Sequence, residues 1–506
     1  MGANKTIAKN TVFLYLRMLL VMVVSLFTSR VVLQTLGVED FGINNVVGGL
    51  VTTLAFLTGS ISSGTSRFYA YYIGKNDKIE LNNYYKISVT CFMLLSLIIL
   101  LLSETIGLWF LNAKMNISPD RMIAANWVYQ CAIASFVVNM FIVPHQSMMV
   151  SQEHMTVYAY VGIAEVLAKL LVVYVLVIGD TDKLILYSIL NFLISVSMLV
   201  FYIGYCYKKY DVCRYKLYFK WDKIKGFLSY SVWIIFGALS NIFKDQAINI
   251  LLNIFFGATI NAARGVAYQV NRAVVQFVNN FYMAVRPQVT KRYAAGEMES
   301  MYSLVFTSSR MCYYLVFVLS VPLIIEMPMV LKLWLHDVPD HTVLFARLVL
   351  LHALIESLAY PLDTSITATG KIRGFQVWTG GMLLLNLPIS YIVLNMGASA
   401  ESTMYVMIVL AVLAHFIRMY FAKKLNGISM TKYLKDVLAT IILVSLVVFG
   451  ALGFLYTHFM FDTVGGFFLF SALSVCFMMI VIYLLGINRD ERVMLKQLVL
   501  NKIHKK

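Results

Sequence analysis

VLATIILVSLVVFGALGFLYT, residues 437–457, runs for 21 positions without a Lys, Arg, Asp or Glu. About 20 consecutive apolar residues are what an α-helix needs to cross the hydrocarbon of a bilayer. In water a helix apolar all round must be buried on every side. A second uncharged run follows at 465–485. Working outward toward the N-terminus, twelve more apolar runs lie near 10–33, 43–66, 87–111, 122–144, 157–179, 184–207, 226–256, 261–285, 302–325, 343–366, 376–396 and 402–421. The expected fold class is an all-α polytopic membrane protein with about 14 transmembrane helices.

The composition agrees. The 506 residues are 60% hydrophobic and 13% charged, against about 25% charged in soluble proteins. Fourteen spans of roughly 21 residues would use about 58% of the chain, close to its hydrophobic fraction. A soluble enzyme, a nucleic-acid-binding domain and a disordered tail protein are excluded. The six cysteines include no CxxC pair and read as small packing residues. No GxxxxGK[ST] motif and no His/Cys cluster with metal-site spacing occurs, so neither a cofactor nor ATP hydrolysis is expected.

The net charge of +16 has a topological meaning. Of the 41 Lys and Arg, 28 fall in alternate connections counted from the N-terminus, and only Lys114, Arg121, Lys183 and Lys332 fall in the other set. Positive charge accumulates on the cytoplasmic side, so both termini are expected there. The most basic internal connection, KKYDVCRYKLYFKWDKIK at 208–225, divides the chain. The expected organisation is an N-lobe at 1–210 with helices 1–6, a basic cytoplasmic linker at 211–225, a C-lobe at 226–421 with helices 7–12, helices 13–14 at 422–485 and a basic cytoplasmic tail at 486–506. A faint repeat spans that divide: Gly37, Arg67 and Gly74 in the first half correspond to Gly257, Arg286 and Gly296 in the second. Two six-helix halves with a substrate site between them are a known transporter plan.

Nine cations remain within the spans: Arg17, Arg30, Lys169, Lys244, Arg264, Arg272, Arg310, Arg347 and Arg418. Each would cost about 2.5–3.5 kcal/mol at the centre of a lipid-facing helix, so they must snorkel, pair or line a wet cavity. Arg418 reads as a snorkelling residue near a helix end, and Lys169 as the i,i+4 partner of Glu165. The others fall on polar stripes. Asn10, Arg17, Ser25 and Thr28 share a sector of about 80° on the first helix; Arg30 falls on its other side near the outer end, where it could equally be an interfacial anchor. Arg264, Tyr268, Asn271, Arg272 and Asn279 share about 100° of the eighth helix, and Asn241, Lys244 and Asp245 add a polar face to the seventh. A positive stripe fits a cavity that receives an anion. The substrate-binding candidates are Arg17, Arg30, Lys244, Arg264, Arg272 and Arg310. On the tenth helix His352, Glu356 and Asp363 lie within about 40° of one another. A buried carboxyl can exchange a proton near neutral pH, so this face could couple transport to a proton or sodium gradient. Alternatively, its carboxylates neutralise arginines across the cavity.

The stretch LYLRMLLVMVVSLFTSRVVLQTLGVEDFGINNVVGG at 14–49 resembles the first two helices of the O-antigen and capsule repeat-unit flippases (Wzx-like). These form the polysaccharide transporter branch of the multidrug/oligosaccharidyl-lipid/polysaccharide (MOP) superfamily. LKLWLHDVP at 331–339 and ATGKIRGFQ at 368–376 are similar to the same family. The resemblance implies a lipid-linked oligosaccharide on undecaprenyl pyrophosphate, moved from the inner to the outer leaflet of a bacterial cytoplasmic membrane by alternating access. It maps the family's intramembrane arginines onto Arg17 and Arg30. Membrane lipids, a polysaccharide polymerase and glycosyltransferases are the implied partners. The rivals are a multidrug or cation antiporter of the same superfamily and, from another class, a membrane-embedded polysaccharide polymerase or ligase. The polymerase or ligase would need a longer outward loop than the one at 326–342. No enzymatic activity is expected.

Overall fold

The structure is a computed structural model that describes residues 3–52, 55–115, 117–178, 182–216, 218–335, 338–458, 463–488 and 491–492. Among them there is no β-strand. The helices are α1 (Ala3–Thr52), α2 (Ala55–Gly74), α3 (Lys78–Ala113), α4 (Pro119–Ser151), α5 (Met155–Ile178), α6 (Lys183–Lys209), α7 (Trp221–Phe256) and α8 (Ala258–Ala295). They continue as α9 (Met298–Ile325), the short α10 (Met327–Trp334), α11 (Thr342–Ala368), α12 (Arg373–Asn395), α13 (Ser402–Asn426), α14 (Met430–Tyr456) and α15 (Val464–Gly486). The all-α membrane fold expected from the sequence is the one observed. Eleven helices among the described residues are long and apolar enough to cross a bilayer. The expected spans near 10–33, 43–66 and 261–285 are not among the eleven. The first two fall on α1 and α2, of which only Asn10–Ser25 registers as a short apolar segment. The third falls on α8, whose Arg, Asn and Gln side chains dilute its apolar character.

The chain divides into two compact units, Met1–Ala238 with Met283–Gly296, and Leu239–Tyr282 with Glu297–Lys506. Helices α7 and α8 each contribute to both. In the first unit α1 packs on α5, α4 on α6, and α2 and α3 on α4. Val32, Leu36, Ile43 and Val47 of α1 share a core with Val128, Tyr129 and Ile133 of α4 and Val173 of α5. α1 breaks at Gly37, whose φ of 79° and ψ of 171° suit glycine because it lacks a Cβ. Just beyond the break, Arg121 clasps Asp40 at 2.5 Å and Asp182 at 2.7 Å. In the second unit α9 packs on α11, α11 and α12 on α13, and α15 on both α9 and α14.

The glycines of the sequence repeat mark comparable events. Gly257 has a φ of 80° between α7 and α8, and Gly296 a φ of 77° at the end of α8. Gly74 has another role: a Cβ there would collide with the Lys291 backbone of the same unit.

Candidate functional site

Two polar sites lie within the helical units, one in each. In the first unit Arg17 projects from the apolar stretch Asn10–Ser25 of α1. Its guanidinium carbon lies 4.5 Å from the centre of the Tyr158 ring, close enough for a cation–π contact. One turn along α5, Gly162 leaves the space that the guanidinium fills; a Cβ at Gly162 would overlap it. Arg17 has no ion pair among the described residues, and its buried Nε has no hydrogen-bond partner. A cavity of about 170 Å³ opens in the same unit, lined by Thr58, Asn139, Gln146, Glu165, Ser195 and Tyr202. Glu165 also pairs with Lys169 at 2.7 Å, both side chains about two-fifths exposed. The Arg30 side chain lies outside the described residues.

The second unit gathers more charge. Lys244, buried on α7, lies 3.9 Å from Asp245, and Arg264, buried on α8, lies 3.7 Å from the same carboxylate. Arg264 also donates to Asn249 Oδ1 and, at 3.0 Å, to the Tyr268 hydroxyl, and its guanidinium covers the Tyr268 ring at 4.4 Å. Arg272 is exposed and has no ion pair among the described residues. From α13, Arg418 donates through Nε to Asp363 Oδ1 at 3.1 Å and approaches Glu356 Oε2 at 3.7 Å. The other Glu356 oxygen, His352 Nε2 and both ring nitrogens of His415 are buried without a hydrogen-bond partner. Lys244 is near enough to act electrostatically on both His352 and Glu356.

His352, Glu356 and Asp363 thus share one face of α11, and that face meets a cation. Arg418 is 6% exposed and clamps two carboxylates, which corrects its reading as a snorkelling end residue. His415, three residues earlier on the same face of α13, was missed. Its i,i+3 relation to Arg418 was the available signal. The stripe cations also separate. Lys244 and Arg264 share Asp245, whereas Arg310 belongs elsewhere: it is buried, donates to Glu491 at 2.5 Å and to the Asp436 carbonyl at 2.8 Å. Arg347 donates to the Ile324 and Ile325 carbonyls at the end of α9, a capping role.

No protein-family model matches the sequence, and no curated protein matches it. Solved structures do. An outward-facing multidrug resistance MATE family transporter of the MOP superfamily superimposes with a TM-score of 0.73 at 12% identity, over 84% of this chain and 96% of its own. A MATE protein in the straight conformation gives 0.72 at 13%, over 84% and 98%. A MOP superfamily transporter from Pyrococcus furiosus, described by the reverse polarity of its binding pocket and a suggested different function, gives 0.68 at 12%, over 84% and 96%. The fold is therefore MATE-like.

Proposed function

We propose that this chain is a MOP-type transporter that flips an oligosaccharide linked to undecaprenyl pyrophosphate from the inner to the outer leaflet of a bacterial cytoplasmic membrane, with both termini cytoplasmic. The observation that carries this reading is Arg17. It is a guanidinium in an apolar helix segment, braced by Tyr158 and Gly162 and without a carboxylate partner among the described residues. An uncompensated cation there is costly, and an anionic ligand would supply the missing charge. Guanidinium is also the side chain best shaped to bind phosphate through two hydrogen bonds. The reversed pocket polarity described for the Pyrococcus furiosus transporter supports reading pocket charge as a guide to substrate. Glycosyltransferases would make this substrate and a polymerase would consume it.

A second reading has its own observation. In the second unit Lys244 and Arg264 share Asp245 while Arg418 faces both Glu356 and Asp363, so three cations are balanced by three carboxylates. With neutral histidines that cluster has no net charge, as suits a cation antiporter driven by protons or sodium. Purified protein in liposomes separates the two. Flipping of a defined undecaprenyl-pyrophosphate oligosaccharide, read by a lectin added outside, should fall at least tenfold in Arg17→Ala while expression and folding persist. Unchanged flipping in that variant, or efflux of an organic cation with no flipping in the unaltered chain, would favour the antiporter.

A further inference from the structure

The connection between α6 and α7 has two unlike faces. One is bolted to α3 of the same unit. Asn82 donates to the Val212 carbonyl at 2.6 Å, Thr90 and Tyr215 share a hydrogen bond of 3.3 Å, and Lys223 grips Glu80 at 2.5 Å. Cys213 and Ile224 are buried beneath. The other face presents Lys208, Lys209, Lys216, Lys220 and Lys225, all exposed and none in an ion pair among the described residues. Among these lysines Tyr207, Phe219 and Trp221 are exposed as well, and the Phe219 and Trp221 rings stack 6.3 Å apart.

A solvated loop has no use for an exposed Phe–Trp stack, and a protein core would not hold five unmatched ammonium groups. Aromatic rings among lysines fit one environment, the headgroup layer of a bilayer, where rings sit among the glycerol groups and cations meet phosphates. Position selects the same occupant. Lys209 is the last residue of one membrane-length helix and Trp221 the first of the next, so the segment runs along the bilayer edge. We infer that residues 207–216 and 218–225 form a strap that binds acidic phospholipid headgroups of the leaflet it faces, independently of what the protein transports.

The test uses the full chain in vesicles containing brominated phosphatidylglycerol or brominated phosphatidylcholine. The readout is the part of the tryptophan emission that disappears in Trp221→Phe. That emission should be quenched at a several-fold lower mole fraction of the acidic lipid. Each lysine neutralised should weaken the preference, by up to about fivefold at full surface contact. In the variant carrying Gln at positions 208, 209, 216, 220 and 225 the two lipids should quench alike. Arg at the same five positions should keep the preference, and 0.5 M NaCl should reduce it in the unaltered chain. Equal quenching by both lipids in the unaltered chain, or an undiminished preference in the Gln variant, would overturn the proposal. So would loss of the preference to millimolar inorganic phosphate at constant ionic strength, which would mark a site for free phosphate.

Discussion

Arg418 offers the sharpest test of the second unit. Its Nε donates to Asp363 at 3.1 Å and its Nη2 stands 3.7 Å from Glu356, and it is buried. Met of similar length would remove the charge and keep most of the stem. Breaking a buried ion pair by deleting one partner costs about 3–5 kcal/mol, because the remaining charge is stranded. Here two carboxylates would be stranded together, and one can relieve the repulsion by taking up a proton. The loss should therefore sit near the lower figure, about 3 kcal/mol. Replacing all three charges (Arg418→Met with Glu356→Gln and Asp363→Asn) should recover most of it, since an uncharged core of similar volume avoids the desolvation cost. A double-mutant cycle should give a larger coupling to Asp363 than to Glu356, by about 1 kcal/mol, because only Asp363 accepts a charge-assisted hydrogen bond. Unfolding of the purified protein in detergent measures each value. If Arg418→Met stays within about 0.5 kcal/mol of the unaltered chain, the guanidinium reaches the interface and the buried clamp is refuted.

Other outcomes follow from the same geometry. Gly162→Ala should drive Arg17 off the Tyr158 ring, forfeiting a contact of about 2 kcal/mol when desolvated. Flipping in liposomes should fall about tenfold, with no further loss when combined with Arg17→Ala. Glu356→Gln should abolish the dependence of transport on a proton or sodium gradient, and an unchanged dependence in vesicles rejects that residue as the coupling group. His154, between α4 and α5, hydrogen-bonds Tyr210 at 2.5 Å, and its pKa is held below 6.5 first by burial and then by Lys209 and Lys291. A histidine kept neutral by folding contributes stability above its unfolded pKa and loses it as pH falls. The unfolding midpoint should thus drop between pH 7 and pH 5, and His154→Gln should flatten that slope; an equal slope in the variant assigns the acid sensitivity elsewhere.

Much of this was legible in the sequence, for definite reasons. A membrane span needs about 20 apolar residues whatever its partners, so runs such as 437–457 announce themselves. The periodicity of α11 was equally readable, since steps of four and seven return to one face. What stayed hidden was tertiary. Nothing local to Arg310 reveals Glu491, which lies 181 positions away, and nothing local to Arg17 reveals that Gly162 leaves room for it. The apolar run at 402–421 places Arg418 near a helix end, but the helix does not stop with the run. α13 continues to Asn426, so the guanidinium begins two turns, about 12 Å, before the end, too far inside to count as an end residue.

The wide turns explain why the position of a charge does not reveal its role. Three π-helical segments interrupt the described helices, at Ser103–Gly107, Leu434–Ala439 and Ile482–Gly486. Each offers a carbonyl to a side chain from another helix: Ser103 to the Tyr129 hydroxyl at 2.8 Å, Asp436 to Arg310 at 2.8 Å and Gly486 to the Tyr314 hydroxyl at 3.1 Å. In hydrocarbon a carbonyl left without a donor costs several kcal/mol, so these donors are obligatory. Two of the three come from α9, which thereby fixes α14 and α15 in place. Arg310 is consumed in that task, as Arg347 is at the end of α9. The useful question about an intramembrane cation is whether its donors are already taken. Among the described candidates Arg17 and Arg272 make no ion pair, and of the two Arg17 has the braced position from which to meet an anion.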